Sequence, residues 1–213
     1  MRSSAREKSS INRANGSPGA NWIQAVSGYS VPPISSNALS WPQFPSAAWV
    51  NPFLVNQEIW CTTVNIGNGI PEVCFLLRWN NLNTGAETGY FMTVGPPAGG
   101  GGYCETVKCS AGTDTGTTSL GYYASGGLAT GEVHVWASAV KDTISLYGST
   151  DGVTWNLRKT WTDNVYETMG YIAVYDGNNG IVAAIDDIGG GTIATPAVSG
   201  GLLPMSPAGG LRT

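Results

Sequence analysis

Short runs of apolar and β-branched residues recur along the chain, and turn-forming residues separate them. The run VCFLLRW at residues 73–79 is the densest, and apolar and polar residues alternate around Trp60. Such runs, bounded by Gly, Asn, Asp or Pro, are typical of β-strands. No stretch keeps a 3.6-residue apolar repeat with helix caps. The strands predicted with clear bounds are Glu58–Ile66, Glu72–Trp79, Tyr90–Val94, Tyr103–Lys108, Val133–Val140, Thr143–Tyr147, Trp155–Trp161, Gly170–Tyr175 and Val182–Ile188.

Three dipeptides mark positions for tight turns. Asn68-Gly69, Asp151-Gly152 and Asp176-Gly177 tolerate the positive φ angles that two-residue hairpins need. Many short strands joined by regular turns predict an all-β fold, a two-sheet antiparallel sandwich.

Composition predicts one domain with an extended arm at each end. The 213 residues are 42% hydrophobic, which suffices for a single buried core. Residues 1–10 are polar and are predicted to form an N-terminal arm, and residues 11–188 the β-sandwich domain. Residues 189–213 contain seven Gly and three Pro, so they are predicted to form an extended C-terminal tail.

Charge is unevenly distributed along the chain. The N-terminal arm holds Arg2, Arg6 and Lys8, whereas the chain as a whole has a net charge of −4. An acidic domain argues against nucleic-acid binding, which needs clustered Lys and Arg. The arm either contacts an acidic partner or is a solvated tail. The opening MRSSAREKSS has no apolar h-region, and no apolar run reaches membrane-spanning length, so neither a signal peptide nor membrane insertion is predicted.

Four cysteines leave two alternatives open. No C-x-x-C occurs and His134 is the one histidine, so a zinc site is not expected. Cys61 and Cys74 flank a predicted hairpin at residues 67–69, and a tight turn there would place them opposite one another. Cys61 and Cys74 either form a cross-strand disulfide or remain buried free thiols. The state of Cys104 and Cys109 is left open as well.

Four segments in a fixed order resemble a known group of domains. They are INRANGSPGANWIQAVSGYSVPPISSNALS (11–40), LLRWNNLNTGAETGYFMTV (76–94), STDGVTWNLRKTWTD (149–163) and GYIAVYDGNNGIVAAIDDI (170–188). This order is similar to the concanavalin A-like/laminin-G-like jelly rolls of bacteriophage virion proteins and of bacterial sugar-binding modules. The resemblance implies two facing antiparallel sheets, with the first strand, near Ile11, beside the last, at Ala183–Ile188. Domains of the group often begin with acidic residues, whereas this chain has Ser9 and Ser10.

The chemistry-bearing residues argue against an enzyme. His134 lies in the alternating strand EVHVW and is expected to be a hydrogen-bonded strand residue, and no G-x-S-x-G elbow occurs. The E-x-D-x-x-E strand of glucanases with this fold is absent. The segment at residues 149–155 resembles a sialidase Asp-box shortened by one residue, in which Asp151 is expected to cap its own turn and Trp155 to begin a strand.

No cofactor is required, although calcium is an option at the last strand. Asp187, beside Asp186, could contribute a carboxylate to a Ca²⁺ site near the paired termini. In a regular strand the two side chains would point to opposite faces, so only one would reach a given ion. The glycine-rich loop at residues 95–102 lacks the features of a phosphate loop and is expected at a hairpin tip or a packed contact.

Tryptophans in loops are the candidates for contact with a glycan or a protein partner. Trp41, Trp49 and Trp79 lie in or beside Pro- or Asn-rich loops and are the best candidates for exposure, although most tryptophans in such sandwiches lie in the core. Exposed indole rings stack on sugars and also serve protein interfaces.

Two functions follow from these features. The first is a non-enzymatic structural protein of a bacteriophage virion, a minor tail or capsid decoration protein, localised to the virion and present in many copies. It would dock on other capsid or tail subunits through Arg2, Arg6 and Lys8 of one arm and Leu202, Leu203 and Met205 of the other. The alternative is a carbohydrate-binding module that recognises a host-surface glycan.

Overall fold

The computed structural model of the protein describes residues 7–8, 20–28, 30–32, 34–35, 38–40, 46–64, 72–95, 102–111, 116–175 and 184–194. These residues form fifteen strands and contain no helix. The strands are β1 (Glu7–Lys8), β2 (Trp22–Ile23), β3 (Ile34–Ser35), β4 (Ala38–Ser40), β5 (Ser46–Trp49), β6 (Gln57–Val64), β7 (Val73–Asn80), β8 (Thr88–Val94), β9 (Cys104–Cys109), β10 (Thr117–Tyr123), β11 (His134–Val140), β12 (Thr143–Ser149), β13 (Asn156–Thr162), β14 (Tyr171–Tyr175) and β15 (Ala184–Thr192).

The strands form two antiparallel sheets. Sheet A has the order β13-β12-β11-β6-β15-β4-β3, with β1 also paired to β15, and sheet B has the order β10-β9-β8-β7-β14-β5-β2. Every strand pair within the described residues is antiparallel. The predicted two-sheet jelly-roll sandwich is therefore confirmed.

The core lies between the sheets and is built by alternate residues of each strand. Ile59 and Cys61 of β6 and Val135 and Ala137 of β11 enter it from sheet A. Phe75 and the other inward-facing residues of β7, two positions before and after it, enter the core from sheet B. Burial of each large aliphatic or aromatic side chain stabilises the fold by about 1.5–3 kcal/mol. Because strand side chains alternate, the residues between these positions lie on the outer faces of the two sheets.

All nine strands predicted from the sequence are present, with bounds shifted by a few residues. The edge strand β10 was missed, because its sequence TTSLGYY is mostly exposed and lacks an apolar alternation. Its ladder with β9 is also interrupted by a bulge between Ser119 and Gly121.

The turn predictions had mixed outcomes. Asp151-Gly152 does join two paired strands, β12 and β13. The predicted hairpins at Asn68-Gly69 and Asp176-Gly177 are wrong, because β6 and β7 belong to different sheets, as do β14 and β15. These two connections cross from one sheet to the other, which a local turn signal does not reveal. The segment 95–102 does connect paired strands, β8 and β9.

The cysteines are all buried free thiols. Cys61 points into the core from sheet A, whereas Cys74 lies in the second apolar cluster, on the outer face of sheet B. The disulfide considered between them therefore does not form, since its premise was a hairpin within one sheet. Burial raises the pKa of Cys104 to about 11 and that of Cys109 to about 12.

The last strand pairs with an N-terminal strand, as the resemblance implied, but at other residues. Glu7 and Lys8 pair with Gly190 and Gly189. β15 continues to Thr192, so its last four residues lie in the segment whose composition predicted a tail. Ile11 lies outside the described residues.

Several predicted contact residues also lie outside the described residues: Arg2, Arg6, Trp41, Leu202, Leu203 and Met205, together with the side chain of Lys8. Their roles stay predictions. In the part of the chain that the structure describes, there is no helix long and apolar enough to cross a bilayer.

Candidate functional site

The outer face of sheet A carries a row of aromatic side chains across three neighbouring strands. Trp60 of β6 is paired with Trp136 of β11, and Trp136 is paired with Tyr147 of β12. The rings of Trp136 and Tyr147 stack, with centroids 4.2 Å apart and planes 19° from parallel. Trp136 is only 4% exposed, whereas Trp60 and Tyr147 are half-buried. We call these three residues the aromatic row.

A row of polar side chains runs beside the aromatic row, two positions along the same strands. Thr62 is paired with Asp186 of β15 on one side and with His134 of β11 on the other, and His134 is paired with Ser149. Two residues along a strand span about 7 Å, and paired side chains on one face lie about 5 Å apart. We call Asp186, Thr62, His134 and Ser149 the polar row.

One hydrogen bond fixes the centre of the polar row. The hydroxyl of Thr62 lies 2.9 Å from Nδ1 of His134. The predicted hydrogen-bonded strand histidine is therefore confirmed, and its imidazole lies on the outer face rather than in the core. The other ring nitrogen, Nε2, is not used by this bond.

The turn between β12 and β13 forms one rim of the site. The Asp151 carboxylate accepts hydrogen bonds from the backbone N–H groups of Val153 (2.8 Å) and Thr154 (2.7 Å) and from the hydroxyl of Ser149 (2.9 Å). These bonds hold the pKa of Asp151 well below its usual value. The predicted self-capped turn is thus confirmed.

This turn places two residues against the rows. A Cβ added to Gly152 would lie 3.5 Å from the His134 ring, so the turn packs on that histidine. The ring of Trp155 meets that of Trp136 edge to face, with centroids 5.7 Å apart. Trp155 is half-buried and immediately precedes β13.

The opposite rim is shaped by an irregularity in β15. Between Asp186 and Gly189 this strand has one residue more than β6 has between Thr62 and Trp60, which is a β-bulge. Asp187, at the bulge, has a φ of +48° and is exposed. The prediction that Asp186 and Asp187 point to opposite faces is wrong, because it assumed a regular strand.

The bulge allows the flanking residues to keep their proper faces. Ile185 and Ile188 both enter the core, while Asp186 lies beside Thr62 on the outer face. Asp186 also accepts a 2.7 Å hydrogen bond from the backbone N–H of Asp187. This bond constrains the Asp186 carboxylate at the end of the polar row.

Glycine at position 189 makes room for Trp60. A Cβ there would approach the indole carbons of Trp60 to 2.2 Å, so the ring lies across the β15 backbone. The indole nitrogen of Trp60 is enclosed and has no hydrogen-bond partner among the described residues. The half-buried ring thus offers an apolar surface, while its enclosed N–H is not available to a ligand.

Trp49 and Trp79, the two described members of the predicted contact set, lie in different apolar clusters. Trp79 is fully buried, and its Nε1 donates a 3.3 Å hydrogen bond to the carbonyl of Ala25, so it is not a contact residue at the surface. The reason is that Trp79 still belongs to β7 and the 81–87 loop begins only after it. Trp49 is half-buried and meets Trp22 edge to face, with centroids 5.5 Å apart.

Trp49 lines a separate apolar cleft at the edge between the sheets. Its other lining residues are Trp22, Phe53, Ile172, Ile188, Gly189 and Gly190. Among these described residues there is no carboxylate, amide, hydroxyl or imidazole side chain, the groups that would orient a sugar.

Glu58 and Asp186 of sheet A are too far apart to make a hydrolase pair. Glu58 and Asp186 share the outer face, but Glu58 lies four positions along β6 from Thr62, the partner of Asp186. Four positions span about 13 Å, beyond the roughly 5–9.5 Å that glycosidase carboxylates need. Within the described residues no group of three His, Cys, Asp or Glu side chains is placed to hold a metal ion, and the calcium role of Asp187 stays a prediction.

Sequence reasoning missed most of the site because it lies across strands that are distant in the chain. Trp60 and Thr62 on β6, and His134 and Trp136 on β11, are each two positions apart, which places each pair on one face. The motifs W-x-T and H-x-W therefore carried a signal. The pairing of β6 with β11 over more than 70 residues did not follow from either motif.

Comparisons with known proteins give a fold but no family. No protein-family model matches the chain, and no curated protein matches it. A Bacillus subtilis protein of unknown function with a galectin-like fold superposes with a TM-score of 0.59 at 11% identity, covering 90% of this chain and 98% of that one. The mannose- and Ca²⁺-bound exoplasmic domain of VIP36 gives 0.58 at 11% identity, with 84% and 85% covered. Carbohydrate-binding module CBM66 from Bacillus subtilis gives 0.53 at 12% identity, with 81% and 96% covered.

These likenesses place the chain in the class of galectin-like and lectin-like jelly-roll sandwiches. Identities near 11% show the fold alone. In this chain, the outer face of sheet A carries the aromatic row beside the polar row. The resemblance to bacteriophage virion proteins gains no support from these structures and stays a prediction.

Proposed function

We propose that this protein is a carbohydrate-binding module and that the outer face of sheet A binds the glycan. The observation that carries the proposal is the aromatic row lying about 7 Å from a row of carboxylate, hydroxyl and imidazole groups. Sugars present an apolar ring face and a rim of hydroxyls, and such paired rows complement both. The carbohydrate-binding module CBM66 and the mannose-bound VIP36 domain, which share this fold, support the proposal.

Each row has its own part in binding. Trp60 and Tyr147 expose ring surface on which a sugar ring stacks, and Trp155 extends that surface at the rim. Asp186 accepts hydrogen bonds from sugar hydroxyls, and His134 offers Nε2. The Thr62–His134 hydrogen bond and the capped turn at Asp151 hold these groups before the ligand arrives, which lowers the entropic cost of binding.

The proposal is tested on the full chain with a glycan array, followed by titration calorimetry with the best ligand. Trp60→Ala and His134→Ala should each weaken binding about tenfold or more, because each removes one stacking or hydrogen-bonding group. Tyr122→Ala is the matched control: this aromatic residue is 56% exposed but belongs to β10 of sheet B. Thermal unfolding of every variant separates lost binding from lost fold.

Binding that Tyr122→Ala abolishes and Trp60→Ala leaves intact would place the site on the other sheet. Absence of binding to any glycan on the array would overturn the proposal. Parallel titrations with calcium and with a chelator test the calcium role predicted for Asp187.

The virion function stays a separate proposal, without an observation in its favour among the described residues. It depends on the arms, which lie mostly outside them. A truncation that tests it must begin after residue 194, because β15 extends to Thr192 and lies inside sheet A. Loss of the tail without loss of particle incorporation would count against docking through this arm.

A further inference from the structure

The polar row lies in a part of the surface where negative charge dominates. Asp186 ends the row, Asp187 projects beside it from the bulge, and Asp151 caps the turn at the other rim. The hydrogen bonds that hold the pKa of Asp151 well below its usual value keep this carboxylate ionised at neutral pH. Asp186 and Asp187 thus lie at one end of the polar row and Asp151 at the other, three strands away.

Lys8 pairs with Gly189 through its backbone, and its side chain lies outside the described residues. The other cations of the described residues do not compensate this charge: Arg158 is paired with the buried Glu132, and Lys108 of β9 with Asp163, which follows β13. Lys159 lies over the ring of Tyr123, with its ammonium 4.0 Å from the ring centroid.

The remaining two described cations are also directed elsewhere. Arg78 is fully buried, and its guanidinium donates to the carbonyls of Val55 (2.8 Å) and Lys141 (2.6 Å). Lys141 follows β11 at the end opposite to His134, about 20 Å away along the strand. No described Lys or Arg side chain therefore lies on the polar row.

The chemistry of Asp186 favours one kind of ligand. An ionised carboxylate has two acceptor oxygens and no donor, so it accepts hydrogen bonds from hydroxyls but repels a second carboxylate or a sulfate. Two adjacent sugar hydroxyls match its two oxygens, and the neighbouring Thr62 hydroxyl and His134 ring extend the same line of contacts.

We infer that the site takes uncharged glycans that present adjacent hydroxyls and discriminates against acidic glycans such as polyuronates. This inference rests on the proposed function, since it specifies the ligand class of the same site. Repulsion between Asp186, with Asp187 next to it in the chain, and a uronate bound beside it corresponds to about tenfold weaker binding of a uronate than of its neutral counterpart. The difference in affinity between neutral and acidic glycans should decrease as added salt screens the exposed charges.

The experiment uses matched oligosaccharides of the same linkage, galactose against galacturonic acid and glucose against glucuronic acid, titrated into the full chain at low and at high salt. We expect at least one neutral oligosaccharide to bind. The affinity for its uronate should be about tenfold lower at low salt, and the two affinities should differ less at high salt. A uronate that binds as well as its neutral partner overturns the inference and leaves the proposed function intact. Where neither set binds but the array shows another neutral ligand, that ligand and its uronate replace them; if the array shows none, the proposed function fails and the inference fails with it.

Two variants separate charge from hydrogen bonding. Asp187→Asn removes one charge at the bulge, and asparagine tolerates the left-handed conformation there. The affinity for neutral glycans should stay within about twofold, and the ratio of the neutral to the acidic affinity should fall. Asp186→Asn should narrow the ratio and also weaken neutral binding, because an amide replaces one acceptor oxygen by a donor. An unchanged ratio in both variants would show that carboxylate charge does not set the ligand class.

Discussion

Nδ1 of His134 lies 2.9 Å from the hydroxyl of Thr62, joining two strands whose sequences are 72 residues apart. The bond fixes the orientation of the imidazole on the outer face of sheet A. The same two strands carry Trp136 and Trp60 at the next pair of positions, so β6 and β11 position residues of both the aromatic row and the polar row. A change at Thr62 therefore tests whether the hydrogen bond between these strands matters for binding.

Thr62→Val should weaken glycan binding about fivefold and lower the free energy of unfolding by about 1 kcal/mol, because it removes a hydroxyl without changing the shape of the side chain. Thr62→Ser keeps the hydroxyl and should bind nearly as well as the unaltered chain. Calorimetry and urea unfolding give the two quantities. Equal affinity in the Val variant would exclude a positioning role for the bond.

Gly189→Ala should displace the Trp60 ring, since the new Cβ would come within 2.2 Å of it. We expect weaker glycan binding, a change in tryptophan fluorescence and a loss of about 1–3 kcal/mol in stability from overpacking. Gly190→Ala is the comparison: its Cβ would meet Ile172 in the core and the Glu58 carbonyl, so it should destabilise the fold without moving the Trp60 ring. An unchanged Trp60 environment in Gly189→Ala would contradict the packing described for β15.

Asp151→Ala should loosen the turn that carries Gly152 and Trp155, because the backbone N–H groups of Val153 and Thr154 lose their acceptor. Lower thermal stability and weaker glycan binding are expected together. Asp151→Asn retains the acceptor oxygen and should restore both in large part. If binding falls equally in the two variants, the charge of Asp151 rather than its capping matters.

Stability should fall in acid. Burial alone would raise the pKa of Glu132, but hydrogen bonds from Arg158, the N–H of Ala129 and Asn156 outweigh it, so the pKa lies below its ordinary value of 4.5. Asp163 behaves alike: its bonds from Lys108, the N–H of Val165 and Tyr90 outweigh burial and lower its pKa. Groups with a lowered folded-state pKa stabilise the fold above their unfolded pKa and lose that contribution as pH falls through the folded value.

Urea unfolding between pH 7 and pH 3 measures this loss, which should begin near the ordinary pKa of a glutamate, 4.5, and grow below it. Glu132→Gln should be less stable at neutral pH and show a flatter pH dependence. A free energy of unfolding that stays constant across this range would show that neither carboxylate has a shifted pKa.

The thiols should be unreactive in the folded chain. All four cysteines are buried, and burial raises the pKa of Cys104 to about 11 and of Cys109 to about 12, so both are protonated at neutral pH. A thiol reagent should modify none of them in the native protein and all four in denaturant. An intact mass lower by two hydrogens would instead reveal a disulfide.

Strand positions were accessible from the sequence, whereas strand partners were not. The run at residues 73–79 and the alternation near Trp60 identified β7 and β6 because local periodicity reports burial directly. The same residues could not show that β6 and β7 lie in different sheets, so the turn at Gly67–Gly69 was misassigned to a hairpin. A local sequence pattern shows which face of a sheet a residue lies on, whereas the partner of a strand depends on long-range packing.

The candidate site was predictable only in its parts. Asp151 was correctly assigned a capping role, since an Asp-Gly turn is a local device. Trp79 was a candidate for exposure because Asn residues follow it, but it still belongs to β7 and is buried. Asp186 and His134 become neighbours of Thr62 only through sheet pairing, and no local signal encodes that pairing.

The place of β15 in sheet A bears on how the protein is made. This strand is the last one described, yet it lies in the interior of the sheet, between β6 and β4. During synthesis β6 and β11 can pair early, but β4 has no partner to connect it to β6 until residues 184–192 leave the ribosome. The outer face of sheet A, which needs Asp186 and Gly189, is therefore completed only once residues 184–192 have been synthesised, and a nascent chain stalled before that point would hold an open sheet edge accessible to chaperones.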